Sequence, residues 1–494
     1  MQIFSLLTSL LLLSGFYFLG KCIVKNLNIE NIILNVSELK FQYISIGIAS
    51  FIFLLYPIIF FVTFKKIFFI IIPTIISIFG FYNFFLNFID IKKKIFSYYK
   101  TLEKNLINFL IFGLTLLYFL ISITPITSGD SVAYHMSTSK YIFLNGKFPV
   151  EVYDSLNSLV GAGEFLNTFA LSVGAFQFTS LINFVGILSV IGVIEKICEK
   201  IYLNSFIKNI LILCVLSTPV LIFLTPTSKS QLFATSLTFL SYSFLFYLIT
   251  NDFKIKNLDK YFLICSFLCI VSVQTKISFS LSFFIIMTIF YIYNYNKKKV
   301  IFFSFILILL ISYGLLPASI WKQGVYDYSF INFFLNPYPL NLPGYSEVYL
   351  NSKDYIIDKF PLIIFFPLSL SNLTQFLGIS SILFFVILFI NFQNKKTLLI
   401  IILSFILIFT LLGQKTPRFY LEIYFFTILV FSLSAKKLQN IKSFKIFRVL
   451  LIFQSLFVAA ILIIGNFTLL PGIFSENLNK KILSNYANGY NMYN

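Results

Sequence analysis

Apolar runs long enough to cross a lipid bilayer recur along almost the whole chain, and they constrain its fold more than any other feature. A membrane-spanning helix needs roughly 20 mainly apolar residues to cross about 30 Å of hydrocarbon. The runs in this chain are separated by short polar segments. Because a helix satisfies its own backbone hydrogen bonds in lipid, each run predicts a helix. We therefore expect an all-α polytopic integral membrane protein.

Charged residues are too few for a soluble fold of this size. They make up 11% of the chain, against 59% hydrophobic residues, whereas soluble domains carry about 25% charged residues. No water-soluble fold could bury so much apolar surface. The runs predict about fourteen transmembrane helices: 2–20, 41–63, 67–89, 106–124, 168–194, 207–224, 231–250, 260–275, 277–294, 299–316, 363–391, 397–413, 418–434 and 446–465.

The net charge of +19 is explained by the loops between these spans. In a soluble protein such a charge suggests nucleic-acid binding. Here lysine and arginine cluster in short loops, where they set orientation and meet anionic headgroups. With residues 91–105 placed inside, about two thirds of these cations fall on the inner side. The pattern predicts a multi-pass protein of the cytoplasmic membrane, with membrane lipids and not nucleic acid as its surroundings.

The cysteines and the first residues carry no processing or disulfide signal. The five cysteines show no disulfide framework, and Cys265 and Cys269 lie in an apolar run. We interpret this pair as small core residues rather than metal ligands. The first twenty residues lack a basic start and a small-residue cleavage site, which predicts a retained first span.

Two long polar loops, 125–165 and 317–362, both fall on the outer side together with the tail 466–494. Long ordered loops in compact proteins tend to be functional. The residues able to carry chemistry are therefore expected on one side of the bilayer, the periplasmic or extracellular side.

Asp130 is the first candidate in these loops because it follows directly on the end of a span. Partial desolvation at the membrane boundary is expected to raise the pKa of its carboxylate and make it a better base. The structural alternative is a helix N-cap, since the stretch Ser131–Leu144 has a helical pattern.

His135 and Glu164 are the next candidates. His135 is the only histidine of the chain, and without a second histidine or cysteine nearby a zinc site is not favoured. It is either a hydrogen-bonding residue or a ligand for a phosphate or a divalent ion beside Asp130. Glu164 lies at the mouth of the next span, where an acid needs a partner or a purpose. A structural ion pair accounts for it equally well.

Three cations lie at outer span ends: Lys229 in a very short turn, Lys276 after Gln274-Thr275, and Arg418 after Pro417. Cations at one interfacial depth near acids suit a phosphate or pyrophosphate at the headgroup level. The structural alternative is that they are snorkelling side chains that anchor helix ends.

The order of these residues resembles the polytopic glycosyltransferases of the GT-C class, the superfamily of protein mannosyltransferases and aminoarabinose transferases. In that class an acid in the first outer loop is followed by a short helix that ends in Gly-x-x-Pro. The corresponding residues here are Asp130 and Gly146-Lys147-Phe148-Pro149. The resemblance covers roughly residues 106–435.

Further matches follow in the same order. Some bacterial members carry an acid at the mouth of the next span, a Thr-Lys at a span end, a Trp followed by Asn-Pro-x-Tyr-Pro, and a Pro-Arg-Tyr near the C-terminus. The corresponding residues of this chain are Glu164, Thr275-Lys276, Trp321, Asn336-Pro337-Tyr338-Pro339 and Pro417-Arg418-Phe419-Tyr420.

The resemblance implies an eleven-helix core at 101–494, preceded by a transmembrane extension at 1–100. It further implies sugar transfer, with inversion, from a polyprenyl-phosphate donor to a lipid, glycan or protein acceptor on the outer face. Asp130 would deprotonate or orient the acceptor hydroxyl, and Glu164 would position its helix or a divalent metal ion, the only cofactor considered. The expected substrate-binding residues are Tyr134, His135, Lys229, Lys276, Tyr338, Arg418 and Tyr420.

Two departures from the class keep alternatives open. Ser131 stands where many members have a second acid, and Lys229 lies where members often carry an acid. An O-antigen-type polymerase or ligase also has many spans and large outer loops. It typically relies on arginines and a histidine in those loops, whereas this chain has one outer arginine and one histidine. A transporter or flippase would need ionisable residues in mid-membrane, but few acids lie inside any span, and Glu422 is nearer an end of its span than the middle.

Overall fold

In a computed structural model, every regular element that the structure describes is helical. The described residues are 2–101, 106–151, 159–255, 257–293, 297–326, 362–367, 374–412, 416–438 and 442–487. The α-helices are α1 (Gln2–Asn26), α2 (Glu30–Leu34), α3 (Leu39–Leu55), α4 (Lys66–Thr101), α5 (Leu106–Ser122), α6 (Ser137–Asn145), α7 (Ala162–Ser172), α8 (Phe178–Lys200), α9 (Ser205–Leu216), α10 (Val220–Leu224), α11 (Gln231–Thr250), α12 (Leu258–Thr275), α13 (Ser280–Tyr293), α14 (Lys297–Gly314), α15 (Leu316–Tyr326), α16 (Leu362–Phe365), α17 (Leu383–Phe389), α18 (Lys395–Leu412), α19 (Leu421–Leu438), α20 (Lys442–Leu469), α21 (Pro471–Phe474) and α22 (Glu476–Tyr486).

Short 3-10 or π-helical stretches adjoin several of these helices. One π-helical stretch, Ser131–Met136, precedes α6. The 3-10 turns are Pro57–Phe60, Ile277–Phe279, Ile379–Ile382 and Pro417–Tyr420.

Eight helices within the described ranges are long and apolar enough to cross a membrane. The number rises to nine if α14 and α15, which are bent by 44° at Leu315, form one broken span. The expectation of a helical, membrane-embedded protein is therefore confirmed. The larger number of about fourteen spans stays a prediction.

Two of the predicted spans are wrong as single helices, because turn residues interrupt them. The segment 168–194 is divided between α7 and α8 by Gly174, which adopts a left-handed φ of +71° that only glycine reaches without strain. The segment 207–224 is divided between α9 and α10 at Pro219. Proline lacks the N–H that a continuing helix requires.

The predicted span 363–391 is also wrong. α16 ends at Phe365, and the backbone N–H groups of Leu377 and Gly378 both donate to the Ile364 carbonyl, at 2.9 and 3.3 Å. The chain therefore folds back on itself instead of continuing as one helix. By contrast, the predicted breaks at 63–67 and 275–277 are both confirmed.

The interior of the bundle is formed by α11, α19, α8 and α12. In the most apolar 18-residue stretch of α11, 94% of the residues are buried. The buried share is 89% for the span that includes α19 and 78% for each of α8 and α12. The corresponding shares are 17% for α4 and 28% for α20, whose apolar side chains face outward. In a membrane, such outward-facing apolar side chains contact lipid.

The N-terminal helices pack on this core through small residues. A Cβ on Gly20 of α1 would lie 1.8 Å from the Tyr43 carbonyl oxygen of α3, so only glycine permits this approach. α3 then contacts α8 through the Ser45 and Ser189 hydroxyls, 2.9 Å apart. The Ser172 hydroxyl of α7 donates to the Phe69 carbonyl of α4 at 2.6 Å. Residues 2–101 thus support α7 and α8, the helices that carry much of the candidate site.

The loop after α5 contains the short helix that the sequence predicts. This loop helix, as we call it, runs through Ser131–Met136 and α6, and it stops at Gly146, where φ is +72°. The Gly146 carbonyl accepts from the Phe64 N–H at 2.8 Å. The Trp321 indole N–H on α15 donates to the Pro149 carbonyl at 3.0 Å. Both contacts hold the end of this helix against neighbouring segments.

Candidate functional site

Asp130 forms an ion pair with Lys229, 99 residues further along the chain. Its backbone stands at the start of the π-helical stretch, but its side chain makes no capping hydrogen bond. The N-cap alternative is therefore wrong. The Asp130 side chain is 51% exposed, whereas the Lys229 side chain is only 3% exposed. Lys229 is thus not a snorkelling anchor, because its ammonium group is buried and paired with a carboxylate instead of extending into water.

Lys229 is held in this position by polar side chains from three helical segments. The Asn183 amide of α8 donates to the carbonyls of Thr227 and Lys229 at 3.0 and 2.8 Å. The Asn167 amide of α7 donates to the Ser228 carbonyl at 3.0 Å. The Ser228 N–H in turn donates to the Ser131 hydroxyl, beside Asp130, at 3.1 Å. The turn before α11 therefore gains the hydrogen bonds that its backbone needs in an apolar surrounding.

His135 and Glu164 form a second, buried pair one turn further along the same loop helix. The His135 Nδ1 contacts the Glu164 Oε1, and both side chains are almost fully buried. The other oxygen, Oε2, accepts from the Gly161 N–H at 2.6 Å. The Ser139 hydroxyl joins the two backbones by approaching the His135 and Glu164 carbonyls at 2.8 and 2.9 Å. Glu164 is thus a partner of the helix that begins at Asp130.

Lys276 and Arg418 meet around Gln231, the first residue of α11. The Lys276 ammonium donates to the Gln231 Oε1 at 3.2 Å, and the Gln231 amide donates to the Arg418 carbonyl at 3.1 Å. Both cations also lie over the ring of Phe419, at 4.6 and 5.0 Å from its centre. The Arg418 Nε is buried and has no hydrogen-bond partner among the described residues. This N–H is therefore available to a ligand.

The pKa of the Asp130 carboxyl is lowered, which corrects the expected increase. Burial by itself raises this pKa, but the Lys229 ammonium lowers it through its charge and its hydrogen bond. Arg418 and His135 act in the same direction. Asp130 is therefore a stable carboxylate and a weak base.

The pKa values of the neighbouring bases are lowered too. Burial and then the charge of Arg418 lower the pKa of Lys229 to about 8, against the opposing effect of Asp130. Burial is the main reason that the pKa of Lys276 falls, and the charges of Arg418 and Lys229 lower it further. Burial also lowers the pKa of His135, although the Glu164 carboxylate opposes this. These effects show that the groups lie close enough to sense one another's charge.

Of the predicted tyrosines that the structure describes, one joins this group and one does not. Tyr134 is buried and its ring packs on that of His135, with 4.1 Å between ring centres. The Tyr420 hydroxyl lies instead 3.0 Å from the Thr410 hydroxyl of α18. Tyr338 lies outside the described residues, as does most of loop 317–362.

Several polar residues of the site were not identified from the sequence. Asn183 and Gln231 lie within or at the start of apolar runs, where a buried amide is itself a signal of function or of a close contact. Lys276 also lines a pocket whose empty volume, including the open space at its mouth, is about 400 Å³. Lys322, which is 7% exposed, contributes to its lining together with Thr275 and Ser319.

No group of three or more histidine, cysteine, aspartate or glutamate side chains capable of holding a metal ion occurs among the residues that the structure describes. The local charge also differs from that of a metal site. Lys229 pairs with the exposed carboxylate of Asp130 and the charge of Arg418 also acts on it, while the second carboxylate, Glu164, is engaged by His135 and Gly161. The donor set therefore favours an anion over a cation as the ligand.

Comparison with known proteins identifies one family. No curated protein and no solved structure matches the chain. A family model described as the DUF1420 N-terminal domain matches residues 101–483. This range contains Asp130, His135, Glu164 and the three cations, and it begins where the predicted extension ends. The chain belongs to the DUF1420 N-terminal domain family.

Proposed function

We propose that this protein is a membrane glycosyltransferase that moves a sugar from a polyprenyl-phosphate donor to an acceptor on the outer face of the cytoplasmic membrane. The acceptor class is a lipid, a glycan or a protein. One observation carries the proposal: an exposed carboxylate and three cations, contributed by four separate chain segments, meet at span ends of an apolar bundle.

The arrangement matches what a lipid-linked sugar phosphate requires. Its polyprenyl chain needs an apolar surface, and outward-facing apolar side chains cover helices such as α4 and α20. Its phosphate needs cations and N–H donors at the headgroup level. Lys276 and the unpartnered Nε of Arg418 supply these. Gln231 hydrogen-bonds to both residues and so keeps them next to each other.

The same groups account for the chemistry of transfer. When the bond between the anomeric carbon and the phosphate breaks, negative charge develops on the leaving phosphate. Lys276 and Arg418 stabilise that charge, which is where such groups lower a barrier most. The half-exposed carboxylate of Asp130 accepts a hydrogen bond from the acceptor hydroxyl and orients it, while Lys229 fixes the carboxylate in one position.

Sugar transfer from defined polyprenyl-phosphate sugars in membranes tests the proposal. The parent chain, Asp130→Asn and Lys276→Met are compared at equal protein level. Lys140→Met is the matched control, because Lys140 is an exposed lysine on the loop helix. We expect transfer by the parent and the control, and a loss of about 100-fold or more in both site variants. Absence of transfer by the parent with every donor contradicts the proposal.

A transporter is the second candidate, because Glu422 is a buried acid inside a membrane-crossing helix. It is 3% exposed, Ser282 and Thr238 hydrogen-bond to it, and its Oε2 has no partner among the described residues. Intramembrane acids of this kind often carry protons in transporters. Proton-dependent lipid or glycan movement in vesicles that Glu422→Gln abolishes, without any sugar transfer, would support this candidate instead.

A further inference from the structure

We propose that His135, and not Asp130, accepts the proton of the acceptor hydroxyl, and that Glu164 is the residue that positions it. This inference rests on the proposed function, because it assigns a role within sugar transfer. It adds a proton acceptor that lies five residues beyond the expected base, on the same helical stretch.

The geometry fixes which ring nitrogen of His135 carries the proton. Its Nδ1 contacts the Glu164 carboxylate, which can only accept, so Nδ1 is the protonated nitrogen. The second Glu164 oxygen is held by the Gly161 N–H, and the Ser139 hydroxyl ties the two backbones together. The ring is therefore locked in one tautomer, with a lone pair on Nε2.

That lone pair is unused within the described part of the chain. The Nε2 of His135 is buried and has no hydrogen-bond partner there. A buried polar atom without a partner costs free energy and is expected to have a ligand in the working protein. An incoming hydroxyl supplies the missing donor.

Burial and the charges around His135 keep its imidazole neutral, which leaves the Nε2 lone pair unprotonated. Glu164 faces it from α7, Lys229 from the turn before α11, Lys276 from the end of α12, and Asp130 from the start of its own helix. Burial, Lys229 and Lys276 together lower its pKa more than Glu164 raises it. Asp130, by contrast, already accepts from Lys229 and is the weaker base.

The proposed step is balanced without a further reactant. The acceptor oxygen forms a bond with the anomeric carbon while the bond from that carbon to the phosphate oxygen breaks. The hydroxyl proton moves to His135 Nε2, and the imidazolium is stabilised by the Glu164 carboxylate. The phosphate leaves with its electron pair beside Lys276 and Arg418.

One property of the chain makes the inference directly measurable: His135 is its only histidine. Nitrogen NMR of the full chain labelled with ¹⁵N-histidine, purified through a tag without histidine, reports on this residue alone. We expect the Nδ1–H tautomer, neutral at pH 7, with titration below pH 6.5. The Nε2–H tautomer, or a cation at pH 7, would overturn the inference whatever the activity.

Transfer assays across pH form the second arm. We expect His135→Gln to lower the rate of sugar transfer by about 100-fold or more. The residual activity of this variant should no longer fall at acid pH. Glu164→Gln removes a charge that raises the His135 pKa, so its acid limb should move to lower pH. Asp130→Asn should keep the fall of activity at acid pH. If that fall is lost in Asp130→Asn but kept in His135→Gln, the proton acceptor is Asp130 and not His135. If the parent transfers no sugar while the NMR shows the expected tautomer, the proposed function fails and the proton-acceptor role with it, but the His135–Glu164 pair stands.

Discussion

The two acid–base pairs that the loop helix makes with neighbouring segments differ in the exposure of their acids. In the Asp130–Lys229 pair the acid is 51% exposed and its cation 3% exposed. In the His135–Glu164 pair both side chains are buried, at 11% and 4% exposure. The first pair keeps a charged carboxylate at the surface, and the second keeps a neutral imidazole inside. Two carboxylates on different helices thus acquire different roles from their surroundings, as paired carboxylates in enzymes often do.

The difference in exposure predicts which substitution in each pair destabilises the fold. A buried charge depends on its partner, because water cannot replace that partner. An exposed charge does not, because water solvates it when the partner is removed. Removing the partner of a buried member, Lys229 or Glu164, should therefore lower the free energy of unfolding. Removing the partner of Asp130 should have little effect.

The largest effect is expected when Glu164 loses its partner. His135→Leu fills similar space but offers no N–H donor, so the Glu164 carboxylate keeps only the Gly161 N–H. We expect a loss of about 3 to 5 kcal/mol in the free energy of unfolding. Equilibrium unfolding in mixed detergent micelles measures it, with Lys140→Leu as the exposed control. A loss no larger than that of the control would mean that Glu164 does not depend on His135.

The next effect is a dependence of stability on pH that comes from Lys229. Its pKa is about 8 in the folded chain, below its ordinary value of 10.5. The unfolded chain therefore binds more protons between these values, and stability rises as pH increases through this window. The full rise is about 3 kcal/mol, at 1.36 kcal/mol for each pKa unit. Lys276 contributes a rise of the same sign, so Lys229→Met should reduce the slope without abolishing it.

A smaller effect is expected when Asp130 and Lys229, the members of the first pair, are replaced one at a time. Asp130→Asn leaves the buried Lys229 ammonium without its carboxylate and should cost about 2 kcal/mol at pH 7. Lys229→Met leaves Asp130 in contact with water and should cost less than about 1 kcal/mol. Unfolding of the two variants under identical conditions gives the comparison. Equal costs would remove the asymmetry between exposed and buried members.

How far the sequence predicts this molecule depends on the distance over which its parts interact. Local patterns predict the membrane-embedded helices, and they predict the loop helix with its stop at Gly146. They fail where one turn residue breaks a long apolar run, as at Gly174 and Pro219, because hydropathy does not register the break. The interrupted helices therefore had to be found in the structure.

The candidate site shows the same limit. Asp130, Glu164, Lys229, Lys276 and Arg418 are visible in sequence as charged residues at span ends. Their pairing is not, since Lys229 lies 99 residues from Asp130. The expected direction of the Asp130 pKa was wrong for this reason, because desolvation was anticipated and the cation that outweighs it was not.

The smallest effect concerns a contact just beyond the end of the loop helix that carries Asp130 and His135. Trp321→Phe removes the indole N–H that donates to Pro149 but keeps an aromatic ring against Phe148, whose centre lies 5.1 Å away. Loss of one such hydrogen bond should cost about 1 kcal/mol. Because the contact holds the far end of the loop helix, it should leave the difference between the two pairs intact. Unfolding of Trp321→Phe combined with Asp130→Asn should therefore give the sum of the single costs, since distant sites add. A clear departure from additivity would mean that the loop helix transmits strain from α15 to the Asp130–Lys229 pair.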